Sequence, residues 1–318
     1  MNRTITEKVL APINEKLSPD KRLKRCLALS DLMTRMVTYA ICHTIVHNEE
    51  LMQDERIALA NAFLQRVTST HISNHKLTKE GIALTYQGES FQLHDEYKTM
   101  TLTRSVYEHL VMFYFLFVHP KTEEERRVVW NYWRINSMKN LLSYDVEGNV
   151  VTTHGEDDIC KDIEALRKEI AETHTGMECH RKLDEWTAIG KPTQNGCIEF
   201  FRRKGRLDVR RVSYNQAWKY LFSKDQNEMA QLYRHLSIHC HPIYNGLLQY
   251  KEQAQSDEGF DGVPLYLSCC FMAYLCRLYM RLIPHGDQMF DAEFCQQERQ
   301  IFKTLSIDFS EAVSKNKV

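Results

Sequence analysis

The chain has no glycine before Gly81 and no proline between Pro19 and Pro120. Backbone without these residues has neither the left-handed freedom nor the missing donor that ends a helix. The whole chain of 318 residues holds 12 glycines and 7 prolines, well under the usual shares of about 7% and about 5%. Few breakers mean few turns. Long helices are favoured over a many-stranded sheet, and the expected fold class is all-α, a multi-helix bundle with short β-hairpins.

Residues 21–70 read as two long helices, the first with an apolar stripe from Leu23 through Cys26, Met36 and Ala40 to Ile45. Residues 82–92 suggest a hairpin turning at Gly88. A helix is predicted from Glu96 to Val118, stopped by Pro120, and another after Thr122, an N-cap followed by Glu123, Glu124 and Glu125. Residues 144–151 read as a loop or hairpin, and 157–187 as charged and helical. Gly190 to Gly196 is the best place for a module boundary or lid. Helices then follow at 213–223, 226–241, 243–255, 264–282 and 290–305, and the tail from Ser314 is expected to fray. The organisation expected is an N-terminal helical segment, 1–80, packed on a main bundle, 81–318, with a variable middle at 144–212.

Forty-one basic residues against 42 acidic ones give a net charge of −1, so affinity for a polyanion must come from a local patch. The start of the chain is polar, with Glu7, Glu15 and Lys16, unlike a signal peptide. The apolar run Leu110–Val118 is too short to span a membrane, and Val263–Pro284 is interrupted by Arg277 and Arg281. Both read as buried helices, and no membrane partner is expected. Ten scattered cysteines without a C-x-x-C pair suit buried thiols in a reducing compartment, hence a cytoplasmic location. Cys42-His43 with His47 lacks a third ligand, so no metal is expected. Nucleotide-binding glycine motifs, a nucleophile elbow and paired-carboxylate motifs are absent, which disfavours kinase, oxidoreductase and hydrolase readings; no cofactor is expected.

The segment from Gln231 to Pro242 is the most informative. At helical spacing Tyr233, Ser237 and His241 share one stripe, Arg234 and His241 are nearly eclipsed, and His235 and His239 are four apart. Pro242 places His241 at a helix end or kink, where the dipole raises its proton affinity. A cation and imidazoles on one short helix suit phosphodiester chemistry, in which a histidine moves a proton and an arginine stabilises phosphate charge. The same stripe can equally hydrogen-bond across helices as a structural lock. Arg104 and Glu108 form an i, i+4 pair on another helix, able to orient His241, contact phosphate or simply lock the bundle. From Phe200 to Arg211 the chain carries Arg202, Arg203, Lys204, Arg206, Arg210 and Arg211 beside aromatic residues. This suits either a surface that tracks a nucleic-acid backbone or a solvated charged face.

Arg234-His235-Leu236-Ser237-Ile238-His239 resembles the arginine–polar–x3–histidine motif of the HEPN superfamily, and His241 meets its looser form. Tyr233-x3-Ser237-x3-His241-Pro242, with the earlier Arg104-x3-Glu108, is similar to the signature of a family of helical bacterial proteins, over roughly residues 25–285. The superfamily resemblance implies small helical bundles, many of them metal-independent ribonucleases. It would make Arg234, His239 and His241 catalytic, with Tyr233, Ser237, His235, Arg104 and Glu108 in support. RNA would be the partner, and a homodimer seam is one way to complete such a site. The other readings are a non-catalytic interaction scaffold and a small-molecule sensor with a pocket lined by Tyr233, His241 and Arg104.

Overall fold

The structure is a computed structural model that describes residues 17–93, 95–143, 155–191, 193, 197–221, 227–238 and 262–306. In chain order its elements are α1 (Pro19–His47), α2 (Glu55–Glu80), β1 (Ile82–Tyr86), β2 (Glu89–Leu93), α3 (Glu96–Phe113), α4 (Glu123–Ser143), α5 (Glu156–Ala171), α6 (His174–Glu178) and α7 (His180–Thr187). They continue with β3 (Ile198–Arg203), β4 (Arg206–Arg211), α8 (Tyr214–Leu221), α9 (Asn227–Ile238), α10 (Val263–Met280) and α11 (Gln296–Leu305). The fold is mainly α-helical, and strand among the described residues is confined to two antiparallel hairpins. The expected helix at 243–255 and the loop at 144–151 lie outside the described residues.

Local chemistry sets these boundaries. Pro19 opens α1, Asp54 caps α2 by accepting from the Arg56 N–H at 2.8 Å, and Gly81 ends it at φ 65°. Thr122 accepts from the Glu125 N–H at 3.1 Å while Glu125 accepts from the Lys121 N–H at 2.7 Å, fixing the start of α4. Helix α3 passes into a π-helical turn, Tyr114–Val118, before Pro120. The charged stretch 157–187 is three helices rather than one. Thr173 leaves helical geometry and caps α6 through the Gly176 N–H at 2.8 Å, and Cys179 separates α6 from α7. Both hairpins turn through two residues at positive φ, Gln87-Gly88 and Lys204-Gly205, as right-twisted two-residue hairpins require.

The chain divides into two compact units, residues 1–110 with 218–318, and residues 111–217. The expected boundary after residue 80 lies inside the first unit, because α10 packs on both α1 and α2. Every residue of α10 except Val263 and Arg277 is buried, so this helix is the centre of the first unit rather than one of its faces. It is long and apolar enough to cross a membrane, and here its surface is covered by protein. Polar ties run along it: Thr103 donates to the Pro264 carbonyl at 2.8 Å, and Asn61 donates to the Tyr279 hydroxyl at 2.8 Å. The buried stripe of α1 includes Met33, Met36, Val37, Ala40 and Thr44; Ile45, one position off that stripe, is exposed. In the second unit α4 supplies the core, with Val128, Val129, Tyr132 and Ile135 packed among α5, α6 and α7.

Candidate functional site

In the first unit, α3 and α9 bring Arg104, Glu108 and Tyr233 together. One oxygen of Glu108 accepts from Arg104 Nε at 2.7 Å and from the Tyr233 hydroxyl at 3.0 Å. Arg104 Nη2 also reaches that hydroxyl at 3.3 Å, and its guanidinium carbon lies 5.4 Å from the Tyr233 ring centre. The Tyr107 ring, 5.2 Å away, and Phe271 behind it carry the cluster to α10. Burial, and then the Glu108 charge, push the Tyr233 phenol up, so it stays a donor at neutral pH.

Ser237 donates to the Tyr233 carbonyl at 2.7 Å, so its hydroxyl is used within α9. Arg234 and His235 are exposed, and partial burial of the His235 ring lowers its pKa. His239 and His241 lie outside the described residues.

In the second unit the basic tract forms the β3–β4 hairpin and separates into two kinds of side chain. Arg202, Arg203, Lys204 and Arg206 are exposed around the turn, and among the described residues none of them forms an ion pair within 4 Å. Arg210 pairs with Glu199 and stacks on Phe201 at 5.3 Å. Arg211 donates to the Tyr132 hydroxyl at 3.1 Å and sits over Trp186 at 4.6 Å. Lys182 anchors the strand below by bonding Asp208 at 2.6 Å and the Val209 carbonyl at 2.9 Å; its ammonium holds the Asp208 carboxyl below the usual range.

Beside the hairpin lies a cleft of about 660 Å³, walled by Phe200, Phe201 and Arg202 of β3, the start of α4, and α6. Its carboxylates are engaged locally: Glu123 by Arg126, Glu124 by the Thr175 N–H and hydroxyl, Glu125 by the Lys121 N–H, Glu178 by His174, and Glu199 by Arg210. His119 borders this cleft, and burial lowers its pKa.

Sequence reasoning missed one polar cluster, in the core of the first unit. His71 (α2) meets Ser30 Oγ (α1) through Nε2 at 2.8 Å and Ser268 Oγ (α10) through Nδ1 at 2.8 Å, and the Cys269 thiol sulfur (α10) lies 3.9 Å from Nε2. Ser30 Oγ is also 2.9 Å from His75 Nδ1, and His75 Nε2 is 3.7 Å from Asp31. Ser30, His71 and Ser268 are fully buried. The i, i+4 histidines and the adjacent Ser30-Asp31 were the available signal; which helix they face was not. Among the described residues no group of three or more potential ligands is placed to hold a metal ion.

Comparison of the chain with family models, curated proteins and solved structures finds no match in any of the three.

Proposed function

We propose that this is a nucleic-acid-binding helical protein whose β3–β4 turn holds an RNA backbone, and that it is a HEPN-like, metal-independent endoribonuclease. The observation that carries the reading is the crowding of Arg202, Arg203, Lys204 and Arg206 at one exposed turn, where none of them has an ion-pair partner within 4 Å among the described residues. Like charges held together repel one another, and a polyanion relieves that repulsion while releasing its counterions. Phe200 and Phe201 on the same hairpin offer aromatic surface for bases. By the resemblance of its motif, Arg234 would stabilise the phosphate and His239 or His241 would move the proton.

Fluorescence anisotropy with mixed-sequence RNA tests the binding. Lys204→Ala with Arg206→Ala should weaken it across sequences and flatten the salt slope by about two. Cleavage in the presence of a chelator should be lost in Arg234→Ala and in His241→Ala. Wild type that binds no RNA at low salt overturns the reading; binding without cleavage removes the enzyme and keeps the binder.

One observation favours a second reading, a non-catalytic interaction scaffold. Glu108, Arg104 and Tyr233 satisfy one another, and Ser237 is spent on its own helix, as groups that lock a bundle are. Failure of both assays would leave that reading in place.

A further inference from the structure

Two cations of the second unit meet at one residue, Trp186 of α7. Lys139 of α4 donates from Nζ to the Trp186 carbonyl at 2.9 Å, and the guanidinium carbon of Arg211, on β4, lies 4.6 Å from the Trp186 ring centre. Tyr132, two turns before Lys139 on α4, closes the group. Its hydroxyl accepts from Arg211 Nε at 3.1 Å, and its ring lies 6.2 Å from that of Trp186. Lys139 is 5% exposed, while Arg211 and Trp186 are half-buried, so the group meets solvent on the arginine side.

The charges in this group are not balanced. An ammonium has three donors and a guanidinium five. Among the described residues Lys139 bonds the Trp186 carbonyl alone, and Arg211 bonds the Tyr132 hydroxyl through Nε, which leaves its two Nη groups unspent. No described carboxylate lies within 4 Å of either cation. The carbonyl that Lys139 meets stands at the end of α7, where the helix dipole offers about half a negative charge against two full positive ones. Arg167, on the neighbouring helix α5, adds a third cation; Glu164 bonds its Nη1 at 2.7 Å, and its Nε is buried with no hydrogen-bond partner among the described residues. Burial, and then the charges of Arg211 and Arg167, lower the Lys139 pKa. Taking a charge out of water is costly unless an opposite charge accompanies it.

We propose that Lys139 and Arg211 hold a doubly charged phosphate, free or as a monoester, in a second binding site at the base of the β3–β4 hairpin. Two uncompensated cations match two negative charges, whereas a phosphodiester inside a nucleic-acid strand carries one. The arginine fork takes two oxygens of one phosphate, and the ammonium, a point donor, takes another. Trp186 holds the plane of the fork from one side. The site is separate from the basic turn. In the strand register Arg206 stands opposite Arg203 at the turn, and Arg211 stands opposite Ile198 at the other end, five residues or about 17 Å away. It does not depend on RNA at the turn.

Nuclear magnetic resonance of the phosphorus in inorganic phosphate, titrated with the full chain at fixed ionic strength, tests it. The wild type should broaden the phosphate signal saturably. Lys139→Met keeps much of the side chain's length without its charge and should weaken phosphate binding by at least about tenfold, the size of a lost charge-assisted hydrogen bond. Arg211→Gln, which retains a donor for Tyr132, should weaken it likewise, and it decides if Lys139→Met does not fold. Lys204→Ala with Arg206→Ala should leave phosphate binding unchanged, whatever it does to RNA. No saturable binding by the wild type, undiminished binding in Lys139→Met or Arg211→Gln, or loss in the turn variant overturns the proposal. Competition identifies the source of the phosphate. Displacement by an RNA oligonucleotide with a terminal phosphate, and not by the same oligonucleotide ending in a hydroxyl, supports the site as one for an RNA end. Displacement by neither supports it as one for free phosphate or a small monoester. Displacement by both alike overturns the requirement for a doubly charged ligand, and the proposal with it.

Discussion

His71 sits where a charge cannot be accommodated. Burial, and then the neighbouring His75, lower its pKa from 6.5 to about 4. Above pH 6.5 neither the folded nor the unfolded chain holds that proton. As pH falls from 6.5 towards 4 the unfolded chain binds it and the folded chain does not, so stability falls with pH. The loss should reach about 3 kcal/mol and level off near pH 4. Urea unfolding across that window checks it, and His71→Gln, whose side chain does not titrate, should lose this part of the slope. Gly176 is a second single-residue constraint. A Cβ there would lie 1.9 Å from the Ile170 carbonyl oxygen, a backbone atom that cannot step aside. Gly176→Ala should therefore cost the second unit about 1–3 kcal/mol, read as a lower denaturation midpoint.

At the scale of elements, the β3–β4 hairpin shows why a run of like residues need not act alike. Arg211 fills a place between Tyr132 and Trp186, whereas Arg206 meets solvent. Arg211→Ala should destabilise the second unit by about 1–2 kcal/mol, the combined size of a hydrogen bond and a cation–π contact. Arg206→Ala should leave stability unchanged within about 0.5 kcal/mol and act on RNA binding alone. Thermal unfolding of the two variants separates these roles; equal losses would contradict the division. The β1–β2 hairpin was legible in sequence, because Gly88 marks its turn, and the long helices were legible because nothing interrupts them. The split of 157–187 was not. Its breaks depend on Thr173 capping Gly176 and on close packing at that glycine, not on periodicity. Of the candidate site, the spacing within each helix was readable, which is why Arg104 with Glu108, and Tyr233 with Ser237, bond at i, i+4. The core chain was not readable, since it joins residues 41 and 197 positions apart through helices whose facing only packing decides.

For the whole molecule, the second unit is one continuous stretch, 111–217, while the first is assembled from the segments on either side of it. Its central helix α10 covers α1 and α2 from nearly two hundred residues downstream, as the Cys269–His71 contact shows. Closing so long a loop costs little more entropy than closing a shorter one, but it makes the first unit's core a late, non-local event in folding. The apolar faces of α1 and α2, with Met33, Met36, Val37, Leu64 and Val67 fully buried, have no other helix of comparable apolarity to cover them among the described residues. A chain ending at residue 217 lacks α10, and the burial it removes is large against a net stability of about 5–15 kcal/mol. Such a truncation should lose amide protection throughout α1 and α2 and bind a hydrophobic dye, while Trp130, Trp133 and Trp186 of the second unit keep their native fluorescence. Persistent protection of α1 and α2 in hydrogen exchange would show that α10 is not what holds them, and simultaneous loss of the tryptophan signal would show that the second unit does not fold on its own contacts.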